Sequence, residues 1–253
     1  MKIAVITGAS SGLGGEFYKS VITLYPELDE IWLIARRKER LDTLAAAFPG
    51  VRTRSLSMDL TDPKSFFEIE SILAQEKPEI RILINNAGFG ALGNVAELDY
   101  SLQNRQIDLN AKALTAISCL SLRYMKKGSY IVNVCSIAAF APNPRLTVYS
   151  ATKAYVLSFS KGLRYELKPR GINVLAVCPG PMRTEFLSVA GITDQNSKTF
   201  ATLPYCNPAR VARTALKKAE AGCAVYTPRL FFKFYRVLAK LLPHNWIMPV
   251  SKA

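Results

Sequence analysis

The sequence has few of the residues that build metal sites and hydrolase active sites. It contains a single histidine, His244, and five scattered cysteines: Cys119, Cys135, Cys178, Cys206 and Cys223. A zinc site usually draws on Cys and His at short spacing, and a Ser-His-Asp hydrolase needs a histidine beside its nucleophile. We therefore expect neither a metal site nor such a hydrolase, and we expect reduced thiols in a cytoplasmic compartment.

Long apolar runs and a targeting segment are also lacking. The chain enters an apolar run at Ile3 without the features of a secretory signal, and no charge-free run reaches the ~18 residues of a membrane span. Its 253 residues are 49% hydrophobic and 21% charged, with no repeat or polar linker. This composition predicts one folded catalytic domain over residues 1–227, with a tail over 228–253 that belongs to it or extends from it.

Acidic residues are scarce relative to basic ones. The chain has 33 Lys and Arg against 19 Asp and Glu, a net charge of +14. Such an excess is typical of proteins that bind nucleic acid, anionic membranes or phosphorylated ligands, and also of proteins that are merely soluble. No recognised nucleic-acid-binding motif is present, so we do not expect a nucleic-acid partner.

Short apolar runs alternate with longer segments of helical periodicity. The runs are rich in β-branched residues and are mostly non-alternating, as in strands buried on both faces. They are Ile3–Thr7, Ile31–Ala35, Val51–Leu56, Ile82–Asn85, Tyr130–Cys135, Val174–Cys178 and, more weakly, Ala224–Thr227. The predicted helices include Leu41–Phe48, Phe66–Gln75, Leu102–Tyr124, Tyr149–Leu167 and Pro208–Ala219. The pattern predicts a single Rossmann-like α/β fold, a doubly wound parallel sheet of about seven strands that binds ligands at its carboxyl edge.

A glycine-rich turn follows the first predicted strand. Its candidate phosphate-binding residues are Gly8, Ser10, Ser11, Gly12, Leu13 and Gly14. Glycines let the backbone approach a pyrophosphate, and the following helix offers free N–H groups. The G-x-x-x-G-x-G spacing differs from the common G-x-G-x-x-G fingerprint, so a plain loop is the alternative.

Two arginines, Arg36 and Arg37, follow the second predicted strand, where an acidic residue would select NAD. Arginine suits the 2′-phosphate of NADP, and its charge is unfavourable at a helix N-terminus. We therefore expect NADP(H) as the cofactor. The alternative is a solvated basic helix start.

These motifs together resemble the short-chain dehydrogenase/reductase family, over roughly residues 2–227. The matching pieces occur in order: Thr7 to Gly14, Asp59-Leu60, Asn85-Asn86-Ala87-Gly88, Asn110, Ser136, Tyr149-Ser150-Ala151-Thr152-Lys153 and Pro179-Gly180. Any one of them could arise by chance, but the ordered set is specific.

The resemblance implies roles for several further cofactor-binding residues. Asp59 would meet the adenine ring beside the main chain of Leu60. The segment Asn86, Ala87 and Gly88 would pack along the adenosine ribose. Pro179 and Gly180 would flank the nicotinamide, and Thr184 would bond its carboxamide. Asn110 would hold a water that links Lys153 to solvent, and members of the family usually pair as homodimers or homotetramers through the helix that carries Tyr149.

Tyr149 and Lys153 share one face of a predicted helix, and Ser136 ends the preceding strand. Ser136 could donate a hydrogen bond to a substrate oxygen while Tyr149 exchanges its proton, which predicts reduction of carbonyls or oxidation of alcohols with NADP(H). The pKa of Tyr149 should be lowered by Lys153 and the oxidised nicotinamide. A non-catalytic dinucleotide sensor is the main alternative, and a sugar-nucleotide epimerase fits less well.

Three loops at the same edge should form the substrate pocket: Phe89–Gly93, Ala138–Val148 and Met182–Leu203. Their apolar residues are Phe89, Phe140, Pro142, Met182, Phe186 and Leu187, with Arg145 and Arg183 nearby. This lining predicts a small-molecule substrate of hydrophobic carbonyl type, such as a lipid-like ketone, a sterol or an acyl thioester.

The tail beyond Thr227 contains no Asp or Glu. Four basic residues with helical spacing should form one stripe along a helix: Arg229, Lys233, Arg236 and Lys240. Most of the apolar residues fall elsewhere around the same helix. A basic amphipathic helix indicates peripheral membrane contact through residues 229–248. The alternatives are a helix that covers the substrate loop and one that forms a subunit interface.

Overall fold

The chain folds around one parallel sheet. The structure, a computed structural model, describes residues 1–193 and 195–253. Its strands are β1 (Lys2–Thr7), β2 (Glu30–Ala35), β3 (Thr53–Ser57), β4 (Glu79–Asn85), β5 (Tyr130–Val134), β6 (Asn173–Val177) and β7 (Val225–Tyr226). They are arranged in the order β3-β2-β1-β4-β5-β6-β7, and every pair is parallel. The predicted Rossmann-like sheet is therefore confirmed.

The apolar strands separate two layers of hydrophobic core. In β1, Ala4 and Ile6 join the core on one face, whereas Ile3 and Val5 join the core on the other. Successive side chains of a strand point to opposite faces, so a strand covered on both sides must be apolar throughout. This is why the sequence shows continuous rather than alternating apolar runs.

Helices cover both faces of the sheet. They are α1 (Gly12–Leu24), α2 (Lys38–Ala46), α3 (Pro63–Glu76), α4 (Tyr100–Ile107), α5 (Leu114–Leu122), α6 (Thr147–Leu167), α7 (Glu185–Val189), α8 (Lys198–Thr202), α9 (Pro208–Glu220), α10 (Leu230–Leu241) and α11 (His244–Ser251). Apolar residues of α1 and α9 lie in one core layer, and those of α3, α5 and α6 lie in the other.

Most predicted boundaries lie within three residues of those in the structure, and two of the differences have local reasons. Strand β3 begins at Thr53 rather than Val51, because the N–H of Val51 is already bonded to Phe48 in a turn. The helix predicted over Leu102–Tyr124 is divided into α4 and α5 by a π-helical segment, Asp108–Ala113.

A chain of buried amides fixes helices to the centre of the sheet. The amide of Asn85 in β4 donates to Asn133 at 2.9 Å and to Ser118 of α5 at 3.0 Å. The amide of Asn133 in β5 donates to Ser160 of α6 at 2.9 Å. Buried polar groups are retained where they are paired, and here the pairs set the position of α6, which carries Tyr149.

The tail packs back on the body of the molecule. Phe232 and Ala239 of α10 and Ile247 of α11 are buried in its hydrophobic clusters. Among the described residues, no helix has the length and hydropathy needed to cross a bilayer.

Candidate active site

A cavity of about 650 Å³ opens at the carboxyl ends of the strands. Most of the residues predicted from the sequence line it: Gly8, Ser10, Ser11, Gly12, Leu13, Arg36, Arg37, Asp59, Leu60, Asn86, Ala87, Gly88, Ser136, Tyr149, Lys153, Pro179, Gly180 and Thr184. The other two, Gly14 and Asn110, stand behind the wall, where they support the glycine turn and Gly88. The structure thus brings the residues predicted from the sequence together in or directly behind one cavity wall.

The glycine turn leaves no room for side chains at its base. A Cβ on Gly14 would collide with the main-chain oxygen of Gly8 and stand 2.7 Å from the amide of Asn86. Helix α1 begins at Gly12, and the Ser11 side chain at its N-cap makes no capping hydrogen bond. The first N–H groups of a helix have no intrahelical partner, so this turn can receive an anion.

Strand β4 is tied to the same turn by hydrogen bonds. The amide of Asn86 donates to the carbonyls of Thr7 at 3.1 Å and Gly8 at 3.0 Å. The Thr7 hydroxyl in turn accepts from the N–H groups of Asn86 at 3.0 Å and Ala87 at 3.1 Å. Asn86 therefore acts in this structure as a brace of the cavity floor.

Arg37 is held between the glycine turn and a loop that covers the cavity. Its guanidinium donates to Ser10 at 3.1 Å and to Glu185 of α7 at 3.0 Å, and Arg40 also pairs with Glu185. Hydrogen bonds from Arg40 and Arg37 lower the pKa of Glu185 to about 2. Arg36 is exposed on the same rim, so cationic side chains converge where a phosphate could bind.

The carboxylate of Asp59 is held by the following turn. It accepts from the N–H of Thr61 at 3.0 Å and from its hydroxyl at 2.8 Å. Burial alone would raise the pKa of Asp59, but these bonds and the charges of Arg36 and Arg105 bring it below the ordinary value. Asp59 is therefore an oriented, ionised acceptor beside Leu60.

Ser136, Tyr149 and Lys153 form one wall of the cavity. Ser136 follows β5 and accepts from the N–H of Ala138 at 3.1 Å, and its side chain is near enough to the Tyr149 phenol to favour the phenolate. Lys153, one turn along α6, places its Nζ 5.6 Å from the centre of the Tyr149 ring. That Nζ donates to the carbonyl of Val134 at 2.9 Å.

The pKa values at this wall differ from the sequence expectation. Burial raises the pKa of Tyr149 above its ordinary value, despite the opposing effect of Ser136. Burial also lowers the pKa of Lys153. The expected lowering of the phenol's pKa is therefore not a property of these side chains alone, because desolvation disfavours both charged forms.

Asn110 lies in the π-helical segment and is buried. Its amide donates to the carbonyl of Phe89 at 2.8 Å and to Thr152 at 3.1 Å, and its Oδ1 accepts from the N–H of Phe89 at 3.0 Å. These bonds tie the loop after β4 to α6. Since both amide hydrogens are used in this way, a bound water could still donate to Oδ1, which accepts only one hydrogen bond here, or use the main chain of Asn110.

The far end of the cavity is apolar. Its lining includes members of all three predicted loops: Phe89, Ala138, Leu146, Met182, Phe186, Leu187, Val189, Phe200 and Leu203. Phe186 packs on Tyr149 with ring centres 5.4 Å apart. The third loop includes residue 194, which lies outside the described residues.

Several predicted pocket residues have other positions. Phe140 packs against Tyr235 of the tail, with ring centres 6.1 Å apart, and the carbonyl of Pro142 accepts from Ser251. Arg145 donates to main-chain oxygens of Asn196 and Ala253. These residues hold the tail and neighbouring loop rather than line the cavity.

The tail forms part of the cavity wall, although no tail residue was among the pocket residues predicted from the sequence. Phe231, Phe232, Tyr235, Ser251 and Ala253 belong to its lining. Phe232 is fully buried against Gly180, where a Cβ would collide with its ring. The predicted basic stripe is also divided, because Arg229 bonds Tyr205 and Arg236 lies 6.0 Å from the centre of the Phe140 ring. The helical spacing of the aromatic residues in the tail was the sequence feature that could have indicated that one face of the tail packs on the body.

Comparison with known proteins agrees with this geometry. Residues 2–194 match the family model described as short chain dehydrogenase. A probable short-chain type dehydrogenase/reductase, VdlC, of Helicobacter pylori is 30% identical over 203 residues, covering 79% of this chain and 72% of that protein.

Two solved structures are similar over nearly the whole chain. A short-chain dehydrogenase from Sphingobium yanoikuyae in complex with NADPH has a TM-score of 0.81 and 33% identity, covering 95% of this chain and 93% of that one. The bulky-bulky ketone specific alcohol dehydrogenase from Comamonas testosteroni has a TM-score of 0.76 and 31% identity, covering 95% and 92%. The chain therefore belongs to the short-chain dehydrogenase/reductase family of nicotinamide-dependent oxidoreductases.

Proposed function

We propose that this protein is an NADP(H)-dependent oxidoreductase that interconverts a hydrophobic ketone and its secondary alcohol. The observation that carries the proposal is that one cavity has a glycine turn suited to phosphate, together with arginines, at one end and the candidate proton-transfer groups Ser136, Tyr149 and Lys153 at the other. A dinucleotide joins these two functions because its phosphates and its reactive ring lie at opposite ends of one molecule.

The residues present fit the cofactor. The glycine turn lies at the start of helix α1, and a side chain at Gly14 would collide with the main chain of Gly8. Such a turn lets a phosphate approach the free N–H groups of the helix. Asp59 and Leu60 would hold the adenine side, and Asn86, Ala87 and Gly88 would line the ribose. Pro179, Gly180 and Thr184 would contact the nicotinamide, which supplies or accepts a hydride when bound.

Arg36 and Arg37 support a preference for the phosphorylated cofactor. β2 ends at Ala35, and the next side chains are these two cations rather than a carboxylate. Arginine bonds phosphate through two parallel N–H groups, and an acid there would instead bind a ribose hydroxyl. The similar Sphingobium yanoikuyae protein was solved with NADPH.

The chain's own groups supply the proton and orient the substrate. Tyr149 donates a proton to the substrate oxygen in reduction and takes it back in alcohol oxidation. Ser136 donates a hydrogen bond to the same oxygen, which gains negative charge as the carbonyl is reduced. Lys153 would contact the ribose of the bound cofactor, and its ammonium, when protonated, favours the phenolate form of Tyr149. Asn110 positions the helix that carries Tyr149 through Thr152.

The lining of the far end supports a hydrophobic substrate. Phe186, Leu187 and Phe200 face a cavity closed by tail aromatics, and such a surface gains free energy by covering apolar groups. The similar Comamonas testosteroni enzyme is described as specific for bulky-bulky ketones. We therefore propose ketones that carry large apolar groups on both sides of the carbonyl.

The test measures oxidation of NADPH and of NADH with a panel of ketones of increasing apolar size. We expect turnover with NADPH that rises with apolar size. Arg37→Gln should lower kcat/KM for NADPH about tenfold or more and leave NADH unchanged, since a charge-assisted bond to phosphate is lost.

Arg52→Gln is the matched control, because Arg52 is exposed and pairs with Glu30 away from the cavity. Equal loss with both nucleotides in Arg37→Gln would contradict the phosphate assignment. Activity restricted to small polar sugars would contradict the proposed substrate class.

A further inference from the structure

Helix α10 has an inner and an outer face that are both apolar. Phe232 and Ala239 point into the body and are buried. The outer residues are Leu230, Phe234, Val237 and Leu241, which fall within an arc of about 60° at about 100° per residue. The helix therefore carries an apolar surface beyond the one its own fold uses.

The outer stripe, defined as Leu230, Phe234, Val237 and Leu241, is strongly exposed. The relative exposures of these side chains are 80%, 64%, 53% and 72%. Trp246 of the adjoining helix α11 is also 70% exposed. Single exposed apolar residues are common on protein surfaces, but a stripe of four on one helix face marks an interaction surface.

Basic residues border the outer stripe. Lys233 and Lys240 follow one edge of it, are exposed, and form no ion pair within the described part of the chain. From Thr227 to Ala253 there is no carboxylate side chain to neutralise them, and the whole chain carries +14. The surface thus pairs an apolar stripe with an uncompensated positive edge.

We infer that the outer stripe docks this protein on an anionic lipid bilayer. Apolar side chains would enter the boundary between headgroups and acyl chains, while the flanking lysines would meet anionic headgroups. An exposed tryptophan on the next helix, such as Trp246, suits the same boundary. A second copy of the chain complements the surface less well, because residues 227–253 of a second copy offer no Asp or Glu side chain to pair with the lysine edge.

The docked orientation has a consequence for the cavity. Phe231 is 56% exposed next to the outer stripe and also lines the cavity. Docking would therefore place one wall of the cavity beside the bilayer surface. The inference concerns binding alone and does not rest on the proposed reaction.

Flotation of the purified full chain with lipid vesicles tests the inference. The vesicles contain phosphatidylcholine alone, or phosphatidylcholine with roughly a third phosphatidylglycerol to supply negative surface charge. We expect the protein to float with the anionic vesicles, to stay behind with the neutral ones, and to be released by high salt because exposed charges are screened.

Matched variants separate the two features of the surface. The F234S/V237S variant should lose flotation, and K233Q/K240Q should lower the partition coefficient about tenfold or more. F67S and K64Q/K77Q are the controls, since these side chains are exposed on or beside α3, and both should float like the unchanged protein. The altered side chains are all exposed, and circular dichroism and thermal unfolding verify that each variant is folded.

Two results would overturn the inference. One is a wild-type chain that fails to float with anionic vesicles. The other is an F234S/V237S variant that floats as well as the F67S control. Sedimentation of the same variants tests the alternative, in which a second copy of the chain covers the outer stripe. That alternative would hold if the wild type did not float and formed a dimer that only F234S/V237S lost.

Discussion

At the residue scale, Glu185 and the proposed phosphate of NADP(H) would share one arginine, Arg37. Glu185 pairs with Arg37 and Arg40, and with a pKa of about 2 it is ionised at any working pH. A phosphate that approaches Arg37 would therefore meet a carboxylate of like charge. The loop that carries Glu185 also covers the substrate end of the cavity.

Glu185→Gln should strengthen NADPH binding by a few-fold and leave NADH binding unchanged. The reason is that the substitution removes a competitor for Arg37, and exposed ion pairs have modest strength. Titration of each nucleotide by fluorescence measures the effect. Glu16→Gln, which removes a partly exposed carboxylate paired with Lys19 on α1, is the control.

The same titration can contradict the competition. If Glu185 instead orients Arg37 for the phosphate, NADPH will bind more weakly to Glu185→Gln than to the Glu16→Gln control. In that case the carboxylate is a positioning group.

Tyr149 should show different pH limits in the two reaction directions. Burial raises the pKa of Tyr149, so beside the uncharged reduced nicotinamide ring of NADPH the phenol stays protonated and reduction should fall only at high pH. The positive ring of NADP⁺ favours phenolate, so alcohol oxidation should rise with pH at a lower midpoint. Pre-steady-state rates in both directions measure the two midpoints, and coincident midpoints would contradict the account.

Individual site residues differed in how far the sequence could predict them. The positions of Gly8, Tyr149 and Lys153 on the cavity wall could be predicted, because each belongs to a motif with a local spacing. Glu185 was not, because its partner Arg37 lies 148 residues away in the chain and only the fold brings them together.

At the element scale, α10 is joined to the cavity by one close contact. Phe232 is fully buried against Gly180, and no side chain could stand at that glycine without displacing the ring. The position of the tail therefore depends on a glycine that also lies in the predicted nicotinamide site.

A double-mutant cycle tests this contact. Phe232→Ala should cost about 3–5 kcal/mol through the cavity it leaves. Gly180→Ala should destabilise the wild type but cost much less in the Phe232→Ala background, because the clashing ring is gone. Urea unfolding of the nucleotide-free protein gives the four free energies, and additive effects would show that the contact does not fix α10.

Helices and strands could be predicted from the sequence where the apolar periodicity is strong. They were harder to predict where the helical hydrogen-bonding pattern changes within one helix. The buried strands were read from apolar runs, since both faces of the sheet are covered. The division between α4 and α5 was not, because a π-helical segment such as Asp108–Ala113 has no distinct apolar pattern. The tail pattern indicated an amphipathic helix but did not show which apolar residues face the body.

At the scale of the whole molecule, the parallel sheet brings distant segments to one edge. The glycine turn after β1, Ser136 after β5 and Pro179 after β6 all reach the cavity because every strand points the same way. The sequence predicted this convergence from alternating strands and helices. It could not predict how the tail would cover the cavity, since that depends on packing between distant surfaces.

The central claim is that Tyr149 transfers a proton beside a cofactor bound in this cavity. The direct test is single-turnover oxidation of bound NADPH by a bulky ketone, with wild type compared with Tyr149→Phe. We predict rapid loss of bound NADPH in the wild type and a rate about 10²–10⁴-fold lower in the variant, which should still bind NADPH. An equal rate in both proteins, or a wild type that binds no NADPH, would contradict the account.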